Sequence, residues 1–176
     1  MAEQQKFTVK VSKKYEDAER IAIGLDVIDH IIKRSKAGKD KNNKNFPGYS
    51  EGYTESLDFS IAGKSKRVNL TLSGEMLNSL EILESNEGEI VIGIPEDDSL
   101  NNAKAEGNIK GTYGQSSPIR GKKRDFMGIS RKDLTDIKKD YPINNKANRE
   151  NTRSRALELV LAADLAGTLV EDLDLG

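Results

Sequence analysis

Residues 68–94, VNLTLSGEMLNSLEILESNEGEIVIGI, are the most apolar and most β-branched stretch of an otherwise polar chain. Any core this chain builds must use them. Val68, Leu70 and Leu72 alternate with polar residues, the period of a half-buried strand. Ser73 offers a hydroxyl that would cap a short helical turn at 74–80, with Met76, Leu77 and Leu80 on one side of it. A second alternation runs through Leu80 and Ile82 toward Asn86. The corner at 86–88 reads as a hairpin turn, and Ile90, Ile92 and Ile94 make a clean further strand. Pro95 ends it, because proline cannot donate to a ladder.

The supply of apolar residues limits what can be added. Apolar residues are 35% of the 176 and charged residues 32%, enough for one domain with a modest core. No run approaches the ~20 apolar residues of a membrane span. The polar start, MAEQQKFTVK, does not read as a signal peptide, so the expected place of synthesis is the cytoplasm. The absence of Cys removes disulfides, thiolate nucleophiles and Cys–zinc sites.

Before the central stretch, Phe7, Val9 and Val11 alternate as a short strand or an extended arm. A helix is expected over 14–36. Ala18, Ile21, Leu25, Ile28 and Ile32 form one stripe, and Ile23, Val27 and Ile31 form a second beside it. Together they exceed what one small sheet needs. The second stripe is therefore expected to meet another helix, in this chain or a neighbour. Gly24 costs about 1 kcal/mol there relative to Ala, which points to a close approach. Lys33, Arg34 and Lys36 suit the negative end of the helix dipole, and Gly38 ends the helix. His30 is the only histidine; with Asp26 four residues before it, it reads as a surface or interfacial residue rather than a metal ligand or catalytic base.

Residues 38–52 form a long loop rich in Gly, Asn and Lys, with Phe46 and Tyr49 to pin it. It fits an ordering role in assembly, or, with its lysines and aromatics, a nucleic-acid contact. Leu57, Phe59 and Ile61 alternate as a further strand. A helix is expected over 100–107, and a glycine-rich basic loop over 107–123 that lacks the spacing of a phosphate loop. Phe126, Met127 and Ile129 would anchor the chain back on the sheet. Ser130 and Asp133 mark a capped helix start at 131, with Leu134 and Ile137 inward and Pro142 as the stop. Residues 143–152 read as a polar linker. The last helix, from about 152 to 172, carries Leu157, Leu161, Leu165 and Leu169 at every fourth position.

The resulting fold class is α+β: a small, mostly antiparallel sheet packed against the long N-terminal helix and a later helix. Residues 1–142 form the domain, and 143–176 a linker and helical appendage. The net charge of −1 hides blocks: +4 over 1–45, −8 over 75–103, +8 over 104–155 and −5 over 156–176. Such blocks are either solvated faces or complementary patches of a head-to-tail ring. No catalytic constellation appears: one His, no GxSxG, no HExxH, and Asp97-Asp98 only as paired acids in a turn. Neither an enzyme nor a cofactor site is expected.

One ordered set of residues carries a resemblance. A helix ending in Ile32-Lys33-Arg34 leads to Gly38, Asp40, Asn43, Phe46, Tyr49-Ser50 and Tyr53. Leu70 to Leu80, LTLSGEMLNSL, then Ile90 to Ile94, IVIGI, and Arg124 to Ser130, RDFMGIS, follow. Over about 15–142 this order resembles the tailed-phage virion morphogenesis family of tail-completion and head–tail joining proteins. The loop over 109–123 and the segment after Pro142 depart from the family pattern. The resemblance implies a virion neck protein that forms a ring, commonly sixfold. Its partners would be the portal-side connector or adaptor and the tail tube or terminator, with DNA passing through the lumen and no membrane involved. The interface residues expected under that reading are Phe46, Tyr49, Tyr53, Ile23, Val27, Ile31, Lys122, Lys123, Arg124, Phe126, Leu161 and Leu165. The alternative is a small nucleic-acid-binding protein using Lys41, Lys44, Lys122, Lys123 and Arg124.

Overall fold

The computed structural model describes residues 3–49, 51–61, 68–70, 74–112 and 122–143, with Ser154, Leu157, Glu158 and Leu161 beyond them. Among these, the chain is an α+β fold with a three-stranded antiparallel sheet. β1 (Lys6–Lys10) and β2 (Glu81–Asn86) flank β3 (Glu89–Gly93). The alternation in β1 and β3 decides which face is buried. Val9 pairs with Ile90 and Phe7 with Ile92, so all four lie on one face, and Ile90 and Ile92 are wholly buried. Lys6, Thr8 and Lys10 take the other face. β2 and β3 form the hairpin expected at 86–88, with Gly88 at φ 90° supplying the left-handed residue of its turn. A bulge between Ile82 and Glu84 sets two residues of β2 against one of β3 and interrupts an edge strand, a common protection against edge-to-edge pairing.

The strand expected at 68–72 does not form in its described part. Residues 68–70 are irregular and Leu70 has φ 53°, outside the strand region. The edge of β3 is taken instead by β1, whose Phe7 and Val9 match it across the ladder. Val68 remains a core residue, while Leu72 and Ser73 lie outside the described residues. The short helix α4 (Glu75–Asn78) is preceded by Gly74 at φ 83°, a left-handed conformation that glycine adopts freely, and the expected Ser73 cap lies outside the described residues. The strand expected from Leu57, Phe59 and Ile61 is likewise a helix. Short α2 (Glu51–Thr54) and α3 (Leu57–Ile61) occupy that region; Phe59 turns inward and Leu57 and Ile61 are exposed.

The long helix α1 (Asp17–Lys36) packs on the buried face of the sheet. The Glu16 N–H donates to Glu19 Oε2 at 2.8 Å, closing its first turn. Ala22, Ile23, Val27 and Ile31 are completely buried, so the second stripe is the core stripe. Ile23, Val27 and Ile31 are thus not interface residues, contrary to expectation. They share one buried cluster with Ile90 and Ile92 of the sheet, while Ile21 and Leu25 stand at the half-buried flank of the helix. Gly24 does mark a close approach: a Cβ there would lie 2.6 Å from Ile82 Cδ1 and 3.3 Å from Ile90 Cγ2.

α5 (Ser99–Lys110) runs three residues further than the sequence suggested and stops at Gly111, φ 76°. Asp98 caps it by accepting from the Asn101 N–H. Its buried Asn102 ties three segments together. Oδ1 accepts from the Gln5 N–H at 2.7 Å, and Nδ2 donates to the carbonyls of Pro95 (2.6 Å) and Asp98 (3.0 Å). α6 (Arg131–Lys138) starts as expected: Ser130 Oγ accepts from the Asp133 N–H at 3.1 Å. It packs chiefly on α1 rather than on the sheet. Beyond it, buried Tyr141 donates its hydroxyl to Asp26 Oδ2 at 2.6 Å. No helix among the described residues is long and apolar enough to cross a membrane.

Gly93 gives a direct test of the sheet. A Cβ at this position would lie 2.5 Å from the Gln5 carbonyl oxygen, a backbone atom that cannot swing away. Gly93→Ala should therefore force β1 off β3, with a cost of about 1–3 kcal/mol. Thermal melting of the variant against the parent checks it; equal midpoints would remove β1 from the sheet.

Candidate functional site

The most heavily connected polar region lies where the C-terminal end of α1 meets the loop over 38–46 and the segment over 124–133. Arg34 is its centre. It was expected to be one of three cations at a helix end, yet it is only 5% exposed. Its Nη2 donates to the carbonyls of Phe126 (2.7 Å) and Gly128 (3.0 Å), more than ninety residues away in sequence. Burial lowers its pKa from the ordinary guanidinium value, opposed by Asp133, Asp40 and Asp125 nearby. Arginine keeps its charge under such a shift. Nε and Nη1 have no hydrogen-bond partner among the described residues.

The loop closes on the same segment. The Lys41 N–H donates to the Asp125 carbonyl at 2.9 Å, and Lys41 Nζ lies 2.6 Å from Asp125 Oδ2. Asn43, at φ 62°, donates from Nδ2 to Asp133 Oδ2 at 3.1 Å. Ser130 Oγ donates to the same oxygen at 2.8 Å, and His30 Nε2 lies 3.4 Å from it. Burial works against ionisation of Asp133. The Ser130 hydroxyl, the charge of His30 and the Asn43 amide outweigh it and hold the carboxyl below its ordinary range.

A carboxyl with a depressed folded-state pKa contributes stability above its unfolded value, and that contribution is lost as pH falls through the depressed one. Asp133→Asn should thus be less stable than the parent near neutral pH, with the gap closing as pH drops below about 4. Denaturant midpoints at several pH values check this; a gap independent of pH would show that Asp133 is not held by these partners.

The expected interface residues are sorted differently by the fold. Phe126 is completely buried and Phe46 is 8% exposed, so both are anchors of the core and neither presents a side chain to a partner. Tyr49 is half-buried, edge-on to Phe59 with ring centroids 5.6 Å apart. The Arg124 guanidinium stands 5.5 Å above its ring, and Lys122 Nζ donates to its carbonyl at 3.2 Å. Lys122 and Arg124 therefore clasp the chain's own loop. Lys123 is exposed. The Tyr53 side chain and Leu165 lie outside the described residues. Leu161 is exposed, as is Leu157 one turn before it.

His30 contacts Asp133, while Asp26, four residues before it, serves Tyr141. Among the described residues no group of three or more His, Asp or Glu could hold a metal ion. Asp98 accepts from the Asn101 N–H as the cap of α5.

Comparison with family models, with curated proteins and with solved structures gives no match. The site's meaning rests on its own geometry. That geometry joins Arg34 and Lys41 to residues 125–128 and Asn43 to Asp133, segments that the sequence presents about ninety residues apart. Arg34, Asn102 and Tyr141 were not foreseen as organising residues.

Proposed function

We propose that this chain is a structural subunit of a tailed-phage neck, forming a ring that completes the tail or joins it to the head, without catalytic activity. The observation that carries this reading is the interlock just described. The residues that carry the resemblance before and after the central stretch, Arg34 to Phe46 and Arg124 to Ser130, are joined through Arg34 and Lys41. A motif set whose residues hold two distant segments of the chain together is what a scaffold subunit needs.

Exposed apolar pairs support contact with other proteins. Leu57 and Ile61 are 78% and 81% exposed, and Leu157 and Leu161 are 58% exposed each. Each pair is spaced at i, i+4, one helical face. In this reading they meet a neighbouring subunit, the portal-side connector or the tail tube, and DNA passes through the lumen. Particle mass by light scattering, with negative-stain imaging of the purified chain, tests it. Closed rings of about six copies are expected without nucleic acid. A chain that stays monomeric at high concentration sinks the reading.

The C-terminal segment gives a second test. Ile143 still packs against the core, so the cut that leaves the body whole falls after it and not after Pro142. A chain ending at Ile143 should fold, with an unchanged helical spectrum for the body, and should assemble more weakly. Wholesale unfolding of that chain would place the segment in the core.

A further inference from the structure

The same joint sorts charge. Residues 30–45 and 122–133 carry eleven Lys and Arg against three Asp. All three acids have partners within the joint. Asp40 Oδ1 accepts from the N–H groups of Asn42 and Lys44, Asp125 faces Lys41, and Asp133 is held by Ser130, Asn43 and His30. Five of the cations are also engaged. Arg34 is buried, Lys33 pairs with Asp29 at 2.6 Å, Lys41 pairs with Asp125, and Lys122 and Arg124 hold Tyr49. Lys36, Lys39, Lys44, Lys123, Arg131 and Lys132 remain. None has an ion pair or a side-chain hydrogen bond among the described residues. The Lys41 N–H bond to the Asp125 carbonyl and the Asn43 side-chain bond to Asp133 bring the two segments that carry these six together at the C-terminal end of α1.

We propose that this cationic end binds the phosphate backbone of duplex nucleic acid without reading its sequence. A duplex carries about one charge per 1.7 Å of its axis, and outward cations held without partners neutralise it by releasing condensed counterions. The nearby rings are not free to stack on bases: Phe46 is in the core, and Tyr49 is occupied by Phe59 and Arg124. That disfavours a single-strand platform. The acidic block of a second copy is the competing polyanion, but it is partly consumed. Glu75 pairs with Lys104, Glu89 with Lys10, and Asp98 caps α5. The proposal rests on the neck reading only in naming DNA as the polyanion; the charge argument stands without it.

The test is fluorescence anisotropy of the full chain with two labelled 20-base-pair DNA duplexes of unrelated sequence, from 50 to 200 mM KCl. Equal affinity for both is expected. The slope of log K against log salt should be as steep as about −5 if all six cations contact phosphate. The variant Lys39→Gln, Lys44→Gln, Arg131→Gln, Lys132→Gln should lose about 3 to 4 from that slope, with a melting curve showing that it is folded. Lys13→Gln with Lys14→Gln, outside this joint, should leave the slope unchanged. Absence of binding at 50 mM salt overturns the proposal. So does a slope that the quadruple variant does not change, or self-association of the parent that the quadruple variant abolishes. Duplex binding by a chain that forms no ring would remove the neck reading and leave this one; ring formation without duplex binding would do the reverse.

Discussion

Ile92→Ala is expected to lower stability by about 2–5 kcal/mol, the cost of removing a large aliphatic side chain from a fully packed site. Ile92 is completely buried on the middle strand, beneath α1 and opposite Phe7 and Ile82 across its two ladders. Those neighbours belong to secondary structure anchored on both sides, so the site cannot readily collapse around the lost atoms. For a domain of this size the melting midpoint should fall by roughly 4–20 °C. Val91→Ala, on the opposite face and only half-buried, should cost much less. Equal, small shifts for both would mean that the sheet does not have the buried and open faces its register implies.

Arg34→Ala should be of similar size for a different reason. It removes two charge-assisted hydrogen bonds, each of the class worth about 1.5–3 kcal/mol. It also strands the Phe126 and Gly128 carbonyls in a buried position. A loss of roughly 3–5 kcal/mol follows, and Arg34→Lys should not recover it, because an ammonium lacks the planar fork that spans both carbonyls. Denaturant titration of the three chains measures this. If Lys restores full stability, charge alone holds the joint and the geometric account is wrong. Because Arg34 links α1 to residues 126–128, the alanine variant should also assemble poorly even where it remains folded.

Both predictions rest on features of unequal visibility. Ile92 was legible in the chain: β-branched residues alternating at 90, 92 and 94 before a proline describe a buried strand with little ambiguity. So were the hairpin corner at 86–88, the long helix with its terminal cations, which starts at Asp17 rather than at 14, and the Ser130 cap. Which stripe of α1 faces inward was not legible. Ile21, Leu25, Ile28 and Ile32 repeat as regularly as Ile23, Val27 and Ile31, and only the position of Gly24 over Ile82 chooses between them. The alternations at 68–72 and 57–61 misled because they are short. A run of five residues carries too little period to distinguish a strand from irregular chain or from a helical turn. At Leu70 and in α3 the outcome was decided by β1 taking the edge of β3 and by Phe59 packing against Tyr49.

The sequence by itself determined the elements that need only local information: periodic apolar faces long enough to be unambiguous, a capped helix start, a glycine stop, a proline stop. It also determined the size of the core and the lack of any cysteine chemistry. Tertiary structure alone decided the partners of polar side chains. Arg34, Asn102 and Tyr141 look, in sequence, like surface residues, because a charge, an amide or a hydroxyl is cheap in water anywhere. Their burial becomes affordable only where distant carbonyls, N–H groups and opposite charges converge on them, and that convergence is a property of chain topology, on which residue spacing is silent.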